Sequence, residues 1–253
     1  MLKLIKIELF KLFAGKNIFY VFGGFVCVIS LLILYLRMVA PESSFGNVFK
    51  TTSDTFSIFA MIVGVILALV PFYQEIQQKT IKSLLVTPVK RVEILFSKLL
   101  ASIFVSFLFL VVLCLTSFIV TTLLFGFFTV GAYSSSADNM LTFTAGLIQI
   151  ITTFFTTIFY STTIICLFLI TNSLSSALVG VVLLRGLGEL ISRSLLDQNN
   201  LLLSFSPLGV LNILNPVLRN ISIISYTIQL LLTVIYSIVI FYIDTKLFEN
   251  KEF

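Results

Sequence analysis

Three charged residues follow one another at intervals of four near residue 190: Arg185, Glu189 and Arg193. Residues four apart share one face of a helix, so Glu189 can pair with either arginine. A charge near the middle of a bilayer is costly, so this intramembrane charge cluster should face protein or water. Two interpretations remain open: a buried salt-bridge group that only fixes helix packing, and a group that lies in a translocation path or gate.

The sequence contains few residues that could carry out enzyme catalysis. Histidine is absent, which removes the commonest general base and metal ligand. Cys27, Cys114 and Cys166 do not have metal-ligand spacing and are interpreted as small core residues. The sequence contains no G-x-x-x-x-G-K-[ST] phosphate-binding loop, so the energy source for any ATP-driven activity must be another chain. A membrane-embedded enzyme would need clustered acids, histidines or a nucleophile, and Glu189 is the single candidate.

A second group of charged residues is concentrated in the stretch FYQEIQQKTIKSLLVTPVKRVEILFSKLL, residues 72–100. Apolar and charged positions between 74 and 86 recur at helical spacing, which predicts a short amphipathic helix. Thr87 and Pro88 then have the pattern of an N-cap followed by proline at the first helical position, so a second helix should start there. Two interpretations remain open, a solvated loop between spans and a shaped docking element for a cytosolic partner.

The elements that hold these residues are predicted to be membrane helices. The chain has 58% hydrophobic and 11% charged residues, against about 25% charged in an ordinary soluble domain. A spanning helix needs about 20 apolar residues, and the chain lacks the period-two alternation of lipid-facing barrel strands. The predicted fold class is therefore an all-α integral membrane protein, with a single transmembrane domain over 1–253. Six spans are predicted, at 18–39, 54–73, 98–126, 141–170, 173–196 and 221–243.

The basic residues predict which loops face the cytoplasm. They concentrate before the first span, between the second and third, and after the last, whereas the connectors 40–53, 127–140 and 197–220 hold only Lys50 and Arg219. By the positive-inside rule, the basic segments and both termini are cytoplasmic. The net charge of +5 then matches the anionic lipid of that leaflet. No solvated basic domain is available to bind nucleic acid.

Three further segments connect or flank the spans. Residues 1–16 are predicted to form an amphipathic helix that lies on the cytoplasmic membrane surface. Residues 197–220 are too apolar for a loop and too broken by Pro207 and Pro216 for a span, which predicts a re-entrant helical hairpin before the last span. The connection between the fourth and fifth spans, near Asn172, should be a tight turn.

The charged stretch also carries a family resemblance. Its acidic Glu75, the "TIKSLL" run, the proline-basic "TPVKR" run and the "SKLL" helix start resemble the segment after the second span of ATP-binding-cassette type 2 exporter permeases. In that family the segment is a coupling helix that docks into a groove of a separate ATPase subunit. The resemblance therefore implies a cytoplasmic coupling segment over 74–97. The implied ATPase contacts are Glu75, Thr80, Lys82, Pro88, Lys90 and Arg91, with Glu8 and Lys11 of the first helix as further candidates.

The resemblance also implies partners and a function. Such a permease pairs with a second permease copy or paralogue, and ATP and Mg²⁺ bind the partner ATPase, so this chain itself would hold no cofactor or metal. Small permeases of this form expel hydrophobic peptides or drugs, and some give immunity to bacteriocins, which implies a bacterial plasma membrane. Two alternatives remain open: a membrane anchor or sensor that recruits an ATPase without transport, and, less favoured by the residues, an intramembrane enzyme.

Overall fold

The protein is helical almost throughout the part of the chain that the structure describes. The computed structural model describes residues 2–14, 17–77, 91–126, 136–196 and 223–250, and no strand occurs in these ranges. The predicted all-α fold class is confirmed for this part. The helices are α1 (Leu2–Ala14), α2 (Asn17–Val39), α3 (Phe45–Gln77), α4 (Arg91–Phe125), α5 (Ser136–Thr171), α6 (Leu174–Leu196) and α7 (Ile223–Glu249).

Five of the described helices are long and apolar enough to cross a membrane: α2, α3, α4, α5 and α7. In α6 the apolar part, Leu174–Gly186, is shorter than in these five. The chain is therefore a multi-pass membrane protein. A sixth crossing at 173–196 stays a prediction, and the expected re-entrant hairpin at 197–220 lies outside the described residues.

α3 makes its main contacts with two neighbouring helices. It packs along α4 and α5, while α2 lies against α4, α6 and α7 pack on α5, and α1 contacts α3 and α4. One apolar core forms around Phe72 and Phe168, and a second forms around Phe109. Gly64 allows α3 and α4 to approach closely, because a Cβ there would lie 2.6 Å from the Cα of Ser106.

α3 begins well before the predicted span at 54–73. The Oγ of Ser44 caps its first turn by accepting a hydrogen bond from a backbone amide. The amide of Gly46 donates to the side chain of Asn139 on α5. Most of the predicted outer connector 40–53 is therefore helical, because a cap and a contact with α5 extend α3 beyond its apolar run.

A tight turn joins α5 to α6, at the place where the sequence predicts one. Asn172 has a left-handed backbone with φ of 57°, and its amide donates to the carbonyl oxygen of Phe168 at 2.9 Å. The Oγ of Ser173 then accepts a hydrogen bond from the amide of Ser176 at 3.5 Å and caps α6. The turn lays α6 back along α5.

Candidate functional site

Four charged side chains from three helices meet at one end of the bundle. Glu8 and Lys11 lie on α1, Glu75 lies in the last turn of α3, and Lys98 lies on α4. The Nζ of Lys98 lies 2.6 Å from Glu75 Oε2 and 3.2 Å from Glu8 Oε1. The Nζ of Lys11 lies 2.7 Å from the other oxygen of Glu75 and 3.3 Å from Glu8. These four residues form the ionic cluster, in which two carboxylates balance two ammonium groups.

Lys98 is the most enclosed member of the ionic cluster. Its side chain is 1% exposed, and its ammonium group lies 5.1 Å from the centre of the Phe72 ring. A buried ammonium group costs several kcal/mol unless it is partnered, and here two carboxylates and an aromatic face supply the partners. The side chains of Glu75 and Glu8 are also largely buried. The cluster therefore fixes the three helices by short charge-assisted contacts that water screens only weakly.

Lys11 forms the outer side of the ionic cluster, with 39% of its side chain exposed. Its partial burial lowers the pKa of the ammonium group, but the hydrogen bond to Glu75 and the attraction of both carboxylates raise it by more, so the pKa lies above its ordinary 10.5. Lys11 is accordingly charged at physiological pH, and α1 contributes one charge of each sign to the cluster.

Arg91 makes a second link between helices at the same end of the bundle. Its Nη1 donates to the carbonyl oxygen of Glu249 at 2.8 Å and lies 3.4 Å from that of Phe248. These carbonyls belong to the last turn of α7, where intrahelical donors run out and a cation is favourable. The ring of Phe248 lies 6.4 Å from that of Phe72. The start of α4 therefore holds the end of α7 in place.

Glu75 of the ionic cluster and Arg91 lie within the predicted coupling segment 74–97, and Lys98 follows it directly. The structure places Glu75 at the end of α3 and Arg91 at the start of α4, and it gives each of them contacts with other helices. The other predicted ATPase contacts lie outside the described residues: Thr80, Lys82, Pro88 and Lys90. Contact of Glu75 and Arg91 with an ATPase stays a prediction.

The predicted intramembrane charge cluster lies on α6. The guanidinium carbon of Arg185 lies 5.8 Å from the centre of the Tyr160 ring on α5, a cation–π contact. Its Nε is buried without a hydrogen bond in the described part of the chain. The helix continues through Glu189 and Arg193, so these residues lie on the same helix face as Arg185. The side chains of Glu189 and Arg193 lie outside the described part of the chain. Arg185 is thus packed against α5, and the role of the cluster stays a prediction.

Sequence reasoning did not find the meeting of Glu8, Glu75 and Lys98. The two carboxylates are candidates for ATPase contacts by resemblance, and Lys98 is part of the "SKLL" helix start. One available signal is the position of Lys98 within the apolar run ILFSKLLASIF. A lysine in such a run requires a buried anion, which predicts a carboxylate from another helix.

Comparison with known families gives a match over residues 4–185. This part of the chain runs from α1 to Arg185 of α6 and matches the family described as ABC-2 family transporter protein. The chain belongs to this ABC-2 family. All four residues of the ionic cluster, Arg91 and the segment between α3 and α4 lie within the match. No curated protein matches the sequence.

As an ABC-2 permease, the chain is the membrane component of an ABC transporter and is not catalytic by itself. Permeases of this family typically work with ABC ATPase partners. The resemblance of residues 72–100 to this family is thereby confirmed at the level of the family. In this ABC-2 permease, the resembling stretch contains the end of α3 and the start of α4, which are the helix ends tied to α1 and α7.

Proposed function

We propose that this ABC-2 permease is the membrane subunit of an ATP-driven exporter and docks a separate ABC ATPase through the coupling segment 74–97. It assembles with a second permease copy or paralogue, and ATP and Mg²⁺ bind to the ATPase. The cargo is a hydrophobic peptide or a drug-like molecule, with bacteriocins among the candidates. The permease crosses the bacterial plasma membrane six times, with both termini in the cytoplasm and a re-entrant hairpin at 197–220.

The ionic cluster is the observation that carries this proposal. Glu75 and Arg91 lie at the two helix ends from which residues 78–90 emerge, and each is bonded to a further helix. If an ATPase moved the coupling segment, α1 and α7 should move together with α3 and α4, because separating buried charges is costly. A loop that only joined two spans would need no such attachments.

The faces of α1 support its placement on the cytoplasmic membrane surface. Glu8 is buried in the ionic cluster, whereas Ile7 is 50% exposed and Phe10 is 72% exposed. Exposed apolar side chains on a helix held against a membrane bundle fit the boundary between lipid headgroups and acyl chains. We therefore place α1 in the plane of the cytoplasmic leaflet, next to the coupling segment.

Docking is tested by co-expressing the tagged permease with the ABC ATPase of the neighbouring reading frame and measuring co-purification in mild detergent. Reversing two charges of the segment, Lys82→Glu with Lys90→Glu, should lower the recovered ATPase about tenfold, which corresponds to about 1.4 kcal/mol. Glu75 is unsuitable for this test because its substitution also disrupts the ionic cluster.

Lys246→Glu is the matched control, because Lys246 is an exposed lysine on α7 whose contacts, with Glu249 and the ring of Tyr242, are also exposed. This variant should recover as much ATPase as the wild type. Equal recovery with the segment variant and the control would contradict docking through 74–97. Failure of the wild-type permease to recover any ATPase would contradict the assignment of that partner.

A transport assay separates an exporter from an anchor that recruits an ATPase. Cells that carry the permease with an active ATPase should tolerate the cargo peptide, and cells with a hydrolysis-deficient ATPase should lose that tolerance. An anchor would give the same tolerance with both. The variant Glu189→Gln tests the intramembrane charge cluster in the same assay. If the cluster lies in the translocation path, the cells should lose tolerance although the ATPase still binds the permease. If the cells keep full tolerance, the cluster has only a packing role.

A further inference from the structure

Asp244, near the end of α7, is a buried carboxyl group outside the ionic cluster. It is 0% exposed, and neither of its carboxyl oxygens has a hydrogen-bond partner in the described part of the chain. The thiol of Cys166 on α5 lies beside it, but a thiol is a weak donor and makes no hydrogen bond of ordinary geometry here. Buried polar groups without partners are rare in folded proteins, so this one calls for an explanation.

Among the described residues, no cation pairs with Asp244 from the helices around it. Lys98 on α4 is bonded within the ionic cluster, and Arg91 donates to carbonyl oxygens of α7. Lys246, on the same helix as Asp244, is exposed and lies 3.6 Å from Glu249. The other titratable groups at this end of the neighbouring helices are Tyr73, Glu75 and Glu93, which do not bond to Asp244, and the Cys166 thiol, which lies beside it.

An ionised carboxylate in this position would be unfavourable. Removing an unpaired carboxylate from water costs several kcal/mol, and proteins avoid the cost by keeping the group neutral. Phe248 lies one turn further along α7, is 1% exposed and packs against Phe72. The carboxyl group of Asp244 is itself fully buried, so the neutral acid is the form that the packing tolerates.

We propose that Asp244 is a proton-binding site of this permease. Its carboxyl group carries a proton while α7 is packed on α5, and the O–H bond breaks to give a carboxylate and a hydrated proton when the two helices separate and water enters. Each separation of α7 from α5 is thereby linked to one proton. Proton binding at Asp244 requires neither an ATPase nor a cargo, so this proposal can be tested independently of the proposed function.

Infrared spectroscopy of the full-length permease in lipid vesicles tests this site. A protonated carboxyl group has a C=O stretching band that is separate from the amide and carboxylate bands. At neutral pH, the difference spectrum of wild type minus Asp244→Asn should contain this band. Asp138→Asn is the matched control, because Asp138 is exposed in the first turn of α5, and its difference spectrum should lack the band.

The thermal stability of the same proteins gives a second readout. An Asp244 that is protonated in the folded state releases its proton on unfolding, so the wild type should lose stability from mildly acidic to mildly alkaline pH. Asp244→Asn should lose less over that range. Asp244→Ala is the second variant and should remove the same infrared band if the asparagine variant does not fold.

Three results would overturn the proposal. The first is a difference spectrum without the band at neutral pH, and the second is a pH dependence of stability that the neutral variants share with the wild type. The third is failure of both Asp244→Asn and Asp244→Ala to fold, because it would mean that the ionised carboxylate is required.

Discussion

The Nζ of Lys98 lies 2.6 Å from the Oε2 of Glu75, which joins α4 to the last turn of α3 on either side of residues 78–90. Glu8 approaches the same ammonium group from α1 at 3.2 Å. One buried lysine therefore holds three helices together. The arrangement of the two helix ends on either side of residues 78–90 depends on this side chain.

Replacing Lys98 should destabilise the permease strongly. Lys98→Met keeps most of the side-chain volume but leaves two largely buried carboxylates with Lys11 as their remaining partner in the cluster. Loss of one partner from a buried charge group costs about 3–5 kcal/mol, and we expect the free energy of unfolding in detergent to fall by that amount. Lys246→Met, which breaks an exposed pair, should change it by less than about 0.5 kcal/mol. Equal effects of the two substitutions would contradict the structural role of Lys98.

Lys11→Met should lower the free energy of unfolding by less than Lys98→Met does, and its effect should shrink at strongly alkaline pH. Because 39% of the Lys11 side chain is exposed, its contacts should contribute about 0.2–1 kcal/mol. The pKa of Lys11 is raised in the folded state, so its contribution is fully present below 10.5 and disappears as the pH rises beyond that value. The difference in unfolding free energy between wild type and Lys11→Met should be constant at neutral pH and shrink at strongly alkaline pH. A difference that grows with pH would contradict the assigned contacts.

Arg91→Lys should loosen the end of α7 while keeping the positive charge. A single nitrogen of Arg91, Nη1, reaches two adjacent carbonyls, those of Phe248 and Glu249, whereas the lysine side chain is one atom shorter and should not reach both. Hydrogen exchange should become faster in the last turn of α7 and stay unchanged near its start. Unchanged exchange at both places would show that Arg91 does not hold this helix end.

Gly64→Ala should destabilise the contact between α3 and α4. The added methyl group would lie 2.6 Å from the Cα of Ser106, so one backbone must shift. Overpacking of this kind costs about 1–3 kcal/mol. Gly23→Ala on α2 is the control, because nothing lies within 4 Å of its added methyl group, and its unfolding free energy should stay within about 1 kcal/mol of wild type. Similar losses from both variants would show that α3 and α4 are not closely packed at Gly64.

The helices of this permease were predictable because lipid requires long apolar segments. The runs from which α2, α3, α4, α5 and α7 were expected are those of the five helices able to span a membrane. The helix α3 begins before the predicted span at 54–73, because Ser44 and Gly46 extend it through a cap and a contact with Asn139 that hydropathy does not report.

The ionic cluster could not be predicted from local spacing. Glu8 and Lys98 are separated by 90 residues, and Glu75 and Lys11 by 64. Periodicity identifies neighbours on one helix, but it does not show which helix ends meet in the folded bundle. Asp244 was missed for a related reason: it lies just beyond the predicted span at 221–243, where a carboxylate would ordinarily be exposed to water, and packing against α5 buries it.

The measurement that tests the account most directly is site-specific photo-crosslinking between the permease and its ABC ATPase. A photoreactive residue at position 82 lies in the proposed coupling segment, and one at position 138 lies at the predicted outer surface. We expect a crosslinked band at position 82 and none at 138. Adding Lys98→Met should weaken the band at position 82, because the helix ends on either side of residues 78–90 lose the lysine that joins them. A crosslink at both positions, or at neither, would contradict docking through the coupling segment.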